Sequence, residues 1–304
     1  MSNALILFRS TNFDGKNKLV YNIPSGITLK NKEIALQSFS FYNSFFNISS
    51  AIGNNVVTLS FPVFSATVAD TYTMTNFTWT IADGFYSFTD LQFALQQFMI
   101  SNRLCLYNQS TGKYMYFLSI LQNTVQYSVQ IQSYYLPTAS QATALGFELL
   151  SGSPLRLSIS TGTRLVAPRI TFNDGFGRVI GYAGSTIPST VVNKASATYD
   201  ANPAATTLST RTPSINPIDC ILLRCNVANN VNSIPNDLLS VTPISSSYGA
   251  ITQYVSPYPL YMPCAQITTN KIEVSMYDQM MNPLTQRDAE ITMVLSIRDI
   301  SNNV

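Results

Sequence analysis

Apolar and polar residues alternate with a period of two along much of the chain. Residues 125–132 alternate valine, tyrosine or isoleucine with glutamine or serine, and two tyrosines, a leucine and an isoleucine share one face of 114–120. Because successive side chains of a strand point to opposite faces, both runs predict half-buried strands. Residues 121–124 lie between them and have turn composition, so this part of the chain predicts a β-hairpin.

The longest predicted strand, over residues 33–48, changes phase midway. Ile34 and Leu36 have one parity, whereas Phe39 has the other. One extra residue at 37–38 would bring all of these side chains to the same face, which is the pattern of a β-bulge. A bent strand of this kind is typical of a curved sandwich.

One helix is predicted. Ser87 and Asp90 have the spacing of a capping box. Apolar residues then recur at positions i, i+3, i+4 and i+7, namely Leu91, Ala94, Leu95 and Phe98. Many strands and a single short helix favour an all-β, antiparallel sandwich over a parallel α/β sheet.

Composition points to a protein that works through its surfaces. The 304 residues include no histidine, 11% are charged and 12% are aromatic. Histidine is the usual general base and the commonest metal ligand, so its absence argues against Ser or Cys triads and most zinc sites. Few charges and many aromatics are also features of buried protein interfaces. An ordinary β-rich protein with a Ser, Thr and Asn surface is the alternative.

Charge limits the possible binding partners, and cysteine usage indicates a reducing compartment. The net charge is +2 without any basic run, which argues against direct nucleic-acid binding. The four cysteines form no CxxC, and the odd spacing of Cys220 and Cys225 directs them to opposite faces of a strand, so free thiols are expected. We expect neither a signal peptide nor a membrane span, because no apolar stretch approaches about 20 residues.

Several local groups have residue types found in catalytic, metal-binding or cofactor-binding sites, and each also has a structural interpretation. Asp83 and Asp90 could serve as a glycosidase pair, but they also suit a turn and a helix start. Asn173-Asp174-Gly175 lacks the ladder of a calcium loop and predicts a turn. Cys105 lacks a base, and Gly175-Phe176-Gly177 lacks the third glycine of a dinucleotide site. We therefore expect no catalytic, cofactor-binding or metal-binding residues.

Aromatic runs offer a different kind of site. Tyr134-Tyr135 and the segment from Tyr258 to Tyr261 could stack on sugars, anchor protein contacts or fill a core. These uses lead to different functions for a sandwich of this kind, and the sequence alone leaves them open.

Five segments, taken in order, resemble the minor capsid, or penton, proteins of virophages and polinton-like viruses, most closely those of the mavirus type. They are SFSFYNSFFNI at Ser38–Ile48, IADGFYSFTDLQFALQQF at Ile81–Phe98, Ile170–Tyr182, Ile221–Val227, and the closing IEVSMYDQMMNPLTQRDAEITMVLSI at Ile272–Ile297. The family's helix-opening turn often begins with Ile-Pro, which this chain replaces with Ile-Ala. The resemblance extends over about residues 33 to 298.

The resemblance implies one single jelly-roll capsid domain over residues 1–304, with insertions or elaborated loops within 134–169 and 185–217. It implies a closing hairpin with an Asp-containing turn. It also implies a homopentamer at each five-fold vertex of an icosahedral virion, surrounded by a double jelly-roll major capsid protein and assembled in the host cytoplasm. A ring has two different flanks, which we predict to be rich in Ser, Thr, Asn and aromatic residues.

Two other functions remain open from the sequence. A receptor-binding or glycan-binding spike head could use the same sandwich, with its aromatic residues forming a concave sugar site and three copies forming a trimer. A histidine-free glycosidase that uses two carboxylates is the third hypothesis. The chain contains no coiled-coil or fibrous stalk, which favours the capsid protein over the spike head.

Overall fold

Antiparallel strands make up most of the protein. The computed structural model describes residues 3–152, 157–195, 198–216, 218–284, 286–288 and 290–300. Every strand ladder in these ranges is antiparallel. The all-β class that the alternating pattern predicts is therefore confirmed.

The elements of the described residues follow in chain order: β1 (Asn3–Phe8), β2 (Lys18–Thr28), β3 (Lys32–Tyr42), β4 (Val56–Phe64), β5 (Tyr72–Thr80), α1 (Phe88–Ser101), β6 (Leu106–Asn108), β7 (Lys113–Met115), β8 (Leu118–Asn123), β9 (Ser128–Tyr134), α2 (Ala139–Ala144), β10 (Glu148–Leu149), β11 (Leu165–Val166), β12 (Arg169–Phe172), α3 (Asp174–Ile180), β13 (Ser185–Ile187), β14 (Asn193–Lys194), β15 (Pro203–Leu208), β16 (Cys220–Cys225), β17 (Leu238–Pro243), β18 (Ile251–Val255), β19 (Met262–Pro263), β20 (Thr268–Tyr277) and β21 (Thr292–Asp299).

The chain folds as two units. Unit 1 comprises Met1–Phe45 and Ile218–Val304, and unit 2 comprises the continuous block Phe46–Pro217. The single jelly-roll domain over 1–304, with insertions or elaborated loops within 134–169 and 185–217, stays a prediction. Residues 153–156, 196–197 and 217 of those segments lie outside the described residues. In the described part, the strands of unit 2 pair only with one another and enclose a core of their own.

Unit 1 is a sandwich of two sheets. One sheet has the order β1-β21-β3-β18, with β19 also paired to β3, and the other has the order β17-β16-β20-β2. The chain repeatedly passes from one sheet to the other between consecutive strands. Leaving aside the short β19, this is the eight-stranded arrangement of a single jelly roll, and the predicted jelly roll is confirmed in this unit.

The core of unit 1 is formed by the inward faces of both sheets. Its fully buried members include Phe8, Leu19, Ile34, Phe39, Phe41, Ile221, Leu223, Ile272, Val274 and Leu295. The predicted bulge lies at Gln37, because Val294 pairs with Ser38 whereas Leu295 pairs with Leu36. The extra residue brings the apolar side chains on both sides of it into one core.

The two last strands do not form the expected hairpin. β20 belongs to the four-stranded sheet and β21 to the five-stranded sheet. Asp278 does make the expected turn, since its Oδ1 accepts from the backbone N–H of Met280 and of Asn282, both at 2.8 Å. The chain then crosses to the other sheet, which a local sequence pattern does not specify.

The described residues of unit 2 form four small sheets and three α-helices. The sheet orders are β13-β12-β4-β5, β15-β9-β8, β10-β6-β7 and β11-β14. The predicted helix is α1, and α2 and α3 are additional to the single helix expected. A capping box between Thr138 and Gln141 begins α2, and the Asn173 side chain, which accepts from the backbone N–H of Phe176 at 2.9 Å, begins α3. Asn173-Asp174-Gly175 therefore opens a helix and not a turn.

The predicted hairpin in unit 2 is formed by β8 and β9, with its turn displaced. Asn123 pairs with Ser128, so the turn consists of residues 124–127 and not 121–124. Val129 and Ile131 are buried as the alternation predicts, but Tyr127 lies in the turn with φ +48° and is largely exposed. The helix α1 packs beside β8, where the Gln92 side chain accepts from the backbone N–H of Ile120 at 2.7 Å.

Candidate interaction surface

The two carboxylates that could serve as a glycosidase pair bind nearby backbone and hydroxyl groups instead. Asp83 accepts from the backbone N–H of Ser50 at 2.7 Å and from its hydroxyl at 2.9 Å. Asp90 accepts from the backbone N–H of Ser87 at 3.0 Å and from its hydroxyl at 2.6 Å, and these bonds lower the pKa of the Asp90 carboxyl. Asp83 therefore holds the backbone at Ser50, and Asp90 completes the capping box that begins α1.

The thiols offer no activated nucleophile. All four cysteines are free. Cys220 is partly exposed and Cys225 is buried, because their odd spacing places them on opposite faces of β16. Burial raises the pKa of the Cys105 thiol to about 12, so at neutral pH it is a buried apolar side chain. Among the described residues, no group of three or more acidic or cysteine side chains is placed to hold a metal ion.

The edges of unit 1 are the unusual feature of this molecule. Its two sheets end in four edge strands: β1 and β2 form one flank, and β17 and β18 form the other. In the described sequence of these strands, Lys18 is the only charged residue. Sheet edges that face water are normally protected by charged side chains, because unpaired backbone groups attract further strands. Neutral edges on both flanks are typical of edges that another chain covers.

Apart from Lys18, the charged residues that lie on strands of unit 1 are on the inner strands. Arg224 of β16 donates two hydrogen bonds to Asp237, at 2.8 and 2.9 Å, and Lys32 of β3 pairs with Asp299 of β21 at 2.6 Å. Arg298 and Glu33 pair on the same two strands, β21 and β3. The usual arrangement is thus reversed, with paired charges in the middle of the sheets and neutral residues at their edges.

The flank formed by β17 and β18 contains an apolar groove of ≈ 310 Å³. Its wall includes Leu238, Val241, Tyr254, Tyr258, Leu260 and Met262. Tyr258 and Leu260, in the connection between β18 and β19, are 91% and 78% exposed. From Leu238 to Asn270 the sequence contains no charged residue. An exposed, uncharged apolar surface of this kind is typical of a protein interface.

The connection that presents Tyr258 and Leu260 is held in place. Pro257 and Pro259 each restrict the residue before them to extended backbone. Tyr261 then anchors the end of the segment, because its hydroxyl lies 2.9 Å from the Ser296 hydroxyl and the Arg298 guanidinium lies 3.5 Å from the centre of its ring. A rigid surface loses less entropy on binding than a flexible one.

The opposite flank has an exposed row of its own. β1 pairs with β21 along one side only, and its inward residues Ile6 and Phe8 are buried. Leu5 is 69% exposed, and Leu7 is also exposed. The neighbouring edge strand β2 contains Pro24 and a shift of register between Asn22 and Ile27, which limit pairing along it. β1 is therefore the strand of this flank whose unpaired edge is regular enough to pair with a further strand.

Part of this surface could be predicted from the sequence. The aromatic residues from Tyr258 to Tyr261 suggest protein contacts, and the structure places them beside the groove. No motif indicates β1, β17 or the segment from Leu238 to Asn270 as part of the surface. The sequence does contain a long run without charged residues, but that run indicates an interface only when it is known which strands lie at the sheet edges. Tyr134 and Tyr135 lie elsewhere: Tyr135 is buried, and Lys194 lies 5.1 Å from the centre of its ring.

Among known proteins, similarity to this chain is found in structure and not in sequence. No family model matches the chain and no curated protein matches it. Among solved structures, the chain is similar to a crystal structure of the selenomethionine-labelled mavirus penton protein, with 13% sequence identity and a TM-score of 0.42 over 98% of this chain and 99% of that one. None of the helices that the structure describes has both the length and the apolar character that crossing a membrane requires.

Proposed function

We propose that this chain is a structural virion protein, a penton or minor capsid protein that forms homopentamers at the five-fold vertices of an icosahedral capsid. The observation that carries this proposal is the pair of neutral flanks on the jelly roll of unit 1. The protein acts as a building block and not as an enzyme.

The two flanks suit a ring of identical subunits. In a cyclic assembly each copy uses one surface to contact the next copy and a different surface to contact the previous one. Unit 1 offers two such surfaces, the β1 edge with Leu5 and the groove with Tyr258 and Leu260. Jelly rolls are frequent in viral capsids. The number five comes from the resemblance in sequence to virophage penton proteins.

The proposed partners follow from the same assembly. Besides further copies of this chain, the double jelly-roll major capsid protein surrounds the pentamer in the virion, and assembly takes place in the host cytoplasm. Direct binding of nucleic acid is not part of this function, because the net charge of +2 is spread over 17 basic and 15 acidic residues without a basic run.

Electron microscopy of the purified full-length chain tests the proposal, alone and after co-expression with the major capsid protein. Class averages with five-fold symmetry in either preparation support the proposal. Trimers contradict it and favour the spike head. A monomer that also fails to join the co-expressed shell contradicts the vertex function.

A substitution in the groove tests the surface itself. Leu260→Asp introduces a charge where the side chain is 78% exposed, so the fold of the monomer should be retained while the ring is lost. Val125→Asp in unit 2 is the matched control, since Val125 is also an exposed aliphatic residue, and it should leave the ring intact. A pentamer that survives Leu260→Asp removes the groove from the subunit interface.

A further inference from the structure

We propose that unit 2 carries a binding site for a neutral sugar ring of a glycan, in the cavity between the start of α1 and the β8–β9 hairpin. The cavity has a volume of ≈ 260 Å³. This is slightly below the range of pockets for drug-sized molecules, about 300–1,000 Å³, and suits a single small ring. The site goes beyond the proposed capsid function and does not depend on it.

The first argument is the aromatic and apolar part of the wall. Phe88, Tyr127, Pro213 and Ile215 line the cavity. A pyranose ring presents a face of C–H groups, which pack on aromatic and apolar side chains as other apolar groups do. The Tyr127 side chain is 67% exposed, so its ring is accessible to a ligand that enters from solvent.

The second argument is the polar part of the wall. Thr89, Gln122 and Ser128 line the same cavity with hydroxyl and amide groups. Thr89 and Gln122 are exposed, so a ligand in the cavity can reach their hydroxyl and amide groups. Sugar hydroxyls both donate and accept, and neutral hydroxyl and amide groups match them in both capacities.

The third argument is the buried hydroxyl of Ser128. Ser128 is only 7% exposed, and no hydrogen bond satisfies its Oγ within the described structure. Buried polar atoms are nearly always hydrogen-bonded, because leaving one unsatisfied costs stability. The Oγ is enclosed by protein in this structure, so the Ser128 side chain must rotate towards the cavity before a ligand hydroxyl can become its partner.

The fourth argument concerns the charge of the ligand. No Lys or Arg lines the cavity. The first turn of α1 supplies free backbone N–H groups at Phe88 and Thr89, but it also holds Asp90, whose carboxyl keeps a lowered pKa through its hydrogen bonds from Ser87. An ionised carboxylate beside the cavity opposes an anionic ligand. The site therefore favours neutral sugars over sialic acids and sulfated sugars.

The position of Tyr127 agrees with this assignment. Its φ of +48° lies in the left-handed region, which glycine and asparagine adopt at lower cost than tyrosine. A tyrosine at the last position of this turn is therefore not explained by the stability of the turn. Its ring lines the cavity instead.

Saturation-transfer difference NMR of the full-length chain tests the site. The probes are the methyl glycosides of glucose, galactose and mannose, with N-acetylneuraminic acid as the anionic comparison. At least one neutral glycoside should receive saturation on its C–H protons, with a Kd on the order of 1 mM. Absence of binding by all three neutral glycosides, or stronger binding of N-acetylneuraminic acid, overturns the proposal.

Two variants locate the binding. Tyr127→Asn removes the ring and suits the left-handed backbone, and it should weaken binding roughly tenfold. Ser128→Ala removes the unsatisfied hydroxyl and should weaken binding roughly fivefold without lowering the Tm. Tyr127→Phe and Val125→Ala, on the same turn, should bind as the wild type does. Sugar binding that persists unchanged in both Tyr127→Asn and Ser128→Ala excludes this cavity as the site.

Discussion

Charged residues beside the long strands of unit 1 and in the loops of unit 2 act differently. In unit 1, Arg224 and Asp237 neutralise each other through two hydrogen bonds beside an inner strand. In unit 2, Asp70 binds a neighbouring loop: it accepts from the backbone N–H of Arg164 at 2.7 Å and from the hydroxyl of Ser160 at 2.8 Å. Paired charges accompany long regular strands, whereas single carboxylates hold irregular loops.

This difference shows how a protein with 11% charged residues remains well defined. Unit 1 gains its order from two continuous sheets around one core, so its charges are available for pairing away from the edges. Apart from β4 and β5, the described strands of unit 2 have at most seven residues, and the backbone N–H groups of the connections between them need acceptors. Carboxylates that bind those groups substitute for the ladder hydrogen bonds that a longer strand would provide.

The largest expected effects separate the two cores. Phe39→Ala in unit 1 and Phe176→Ala in unit 2 each remove a fully buried ring that packs against other aromatic rings. Each should lower the free energy of unfolding of its own unit by about 3–5 kcal/mol. Hydrogen exchange measured by mass spectrometry should show faster exchange confined to the substituted unit. Faster exchange throughout both units in either variant would show that the two cores unfold as one.

The next effect compares two arginines. Arg224→Ala removes both hydrogen bonds to a partly buried Asp237 and should cost about 1.5 kcal/mol. Arg211→Ala in unit 2 is the control, because Arg211 lies 3.5 Å from Asp174 and both side chains are more than half exposed. It should change stability by less than about 0.5 kcal/mol. If urea denaturation shows that Arg224→Ala and Arg211→Ala lower the free energy of unfolding equally, the distinction between paired and solvated charges is contradicted.

A smaller effect is expected at the start of α1. Ser87→Ala removes the hydroxyl that accepts from the backbone N–H of Asp90 at 3.2 Å, and it should destabilise unit 2 by about 1 kcal/mol. Ser101→Ala, at the exposed end of the same helix, should be nearly neutral. Thermal unfolding followed by circular dichroism distinguishes the two, and a neutral Ser87→Ala would show that α1 is held by packing alone.

The smallest effect is a dependence on pH. Hydrogen bonds from the Arg164 backbone and then from the Ser160 hydroxyl lower the pKa of the Asp70 carboxyl below its ordinary 3.8. The stabilisation is therefore fully present above pH 4, and it is lost as the pH falls through the lowered pKa. Asp70→Asn suits the φ of +61° at this position and should remove that part of the acid dependence. Identical acid unfolding of the variant and the wild type would contradict this role.

Features set by neighbouring residues could be predicted from the sequence. The bulge at Gln37 follows from a change of parity within one strand, and the start of α1 follows from Ser87 and Asp90. The free cysteines of β16 follow from their odd spacing. Each of these depends on residues a few positions apart, where geometry is nearly independent of the rest of the fold.

Features set by distant residues could not be predicted. The strands that contain Ile272 and Leu295 look like a hairpin, yet they belong to opposite sheets. The alternation of a strand specifies which side chains are buried and not which strand it pairs with. The same limit hid the neutral edges, because β1 or β17 becomes an edge only when the order of strands is known. The sugar cavity joins Thr89, Ser128 and Pro213, which no motif connects.

The connectivity of the jelly roll has a consequence for protein synthesis. In the described structure, no ladder partner of β1, β2 or β3 precedes Ile251, and Asn3 pairs with Arg298 near the other end of the chain. Unit 2 is continuous and can fold while the ribosome is still translating. The first three strands must wait until residues 251–299 have been synthesised, and their apolar faces stay open to aggregation until then. Unit 2, which lies between the two halves of unit 1 in the sequence, separates these strands from their partners in time, so the chain needs protection from aggregation most before residues 251–299 are synthesised.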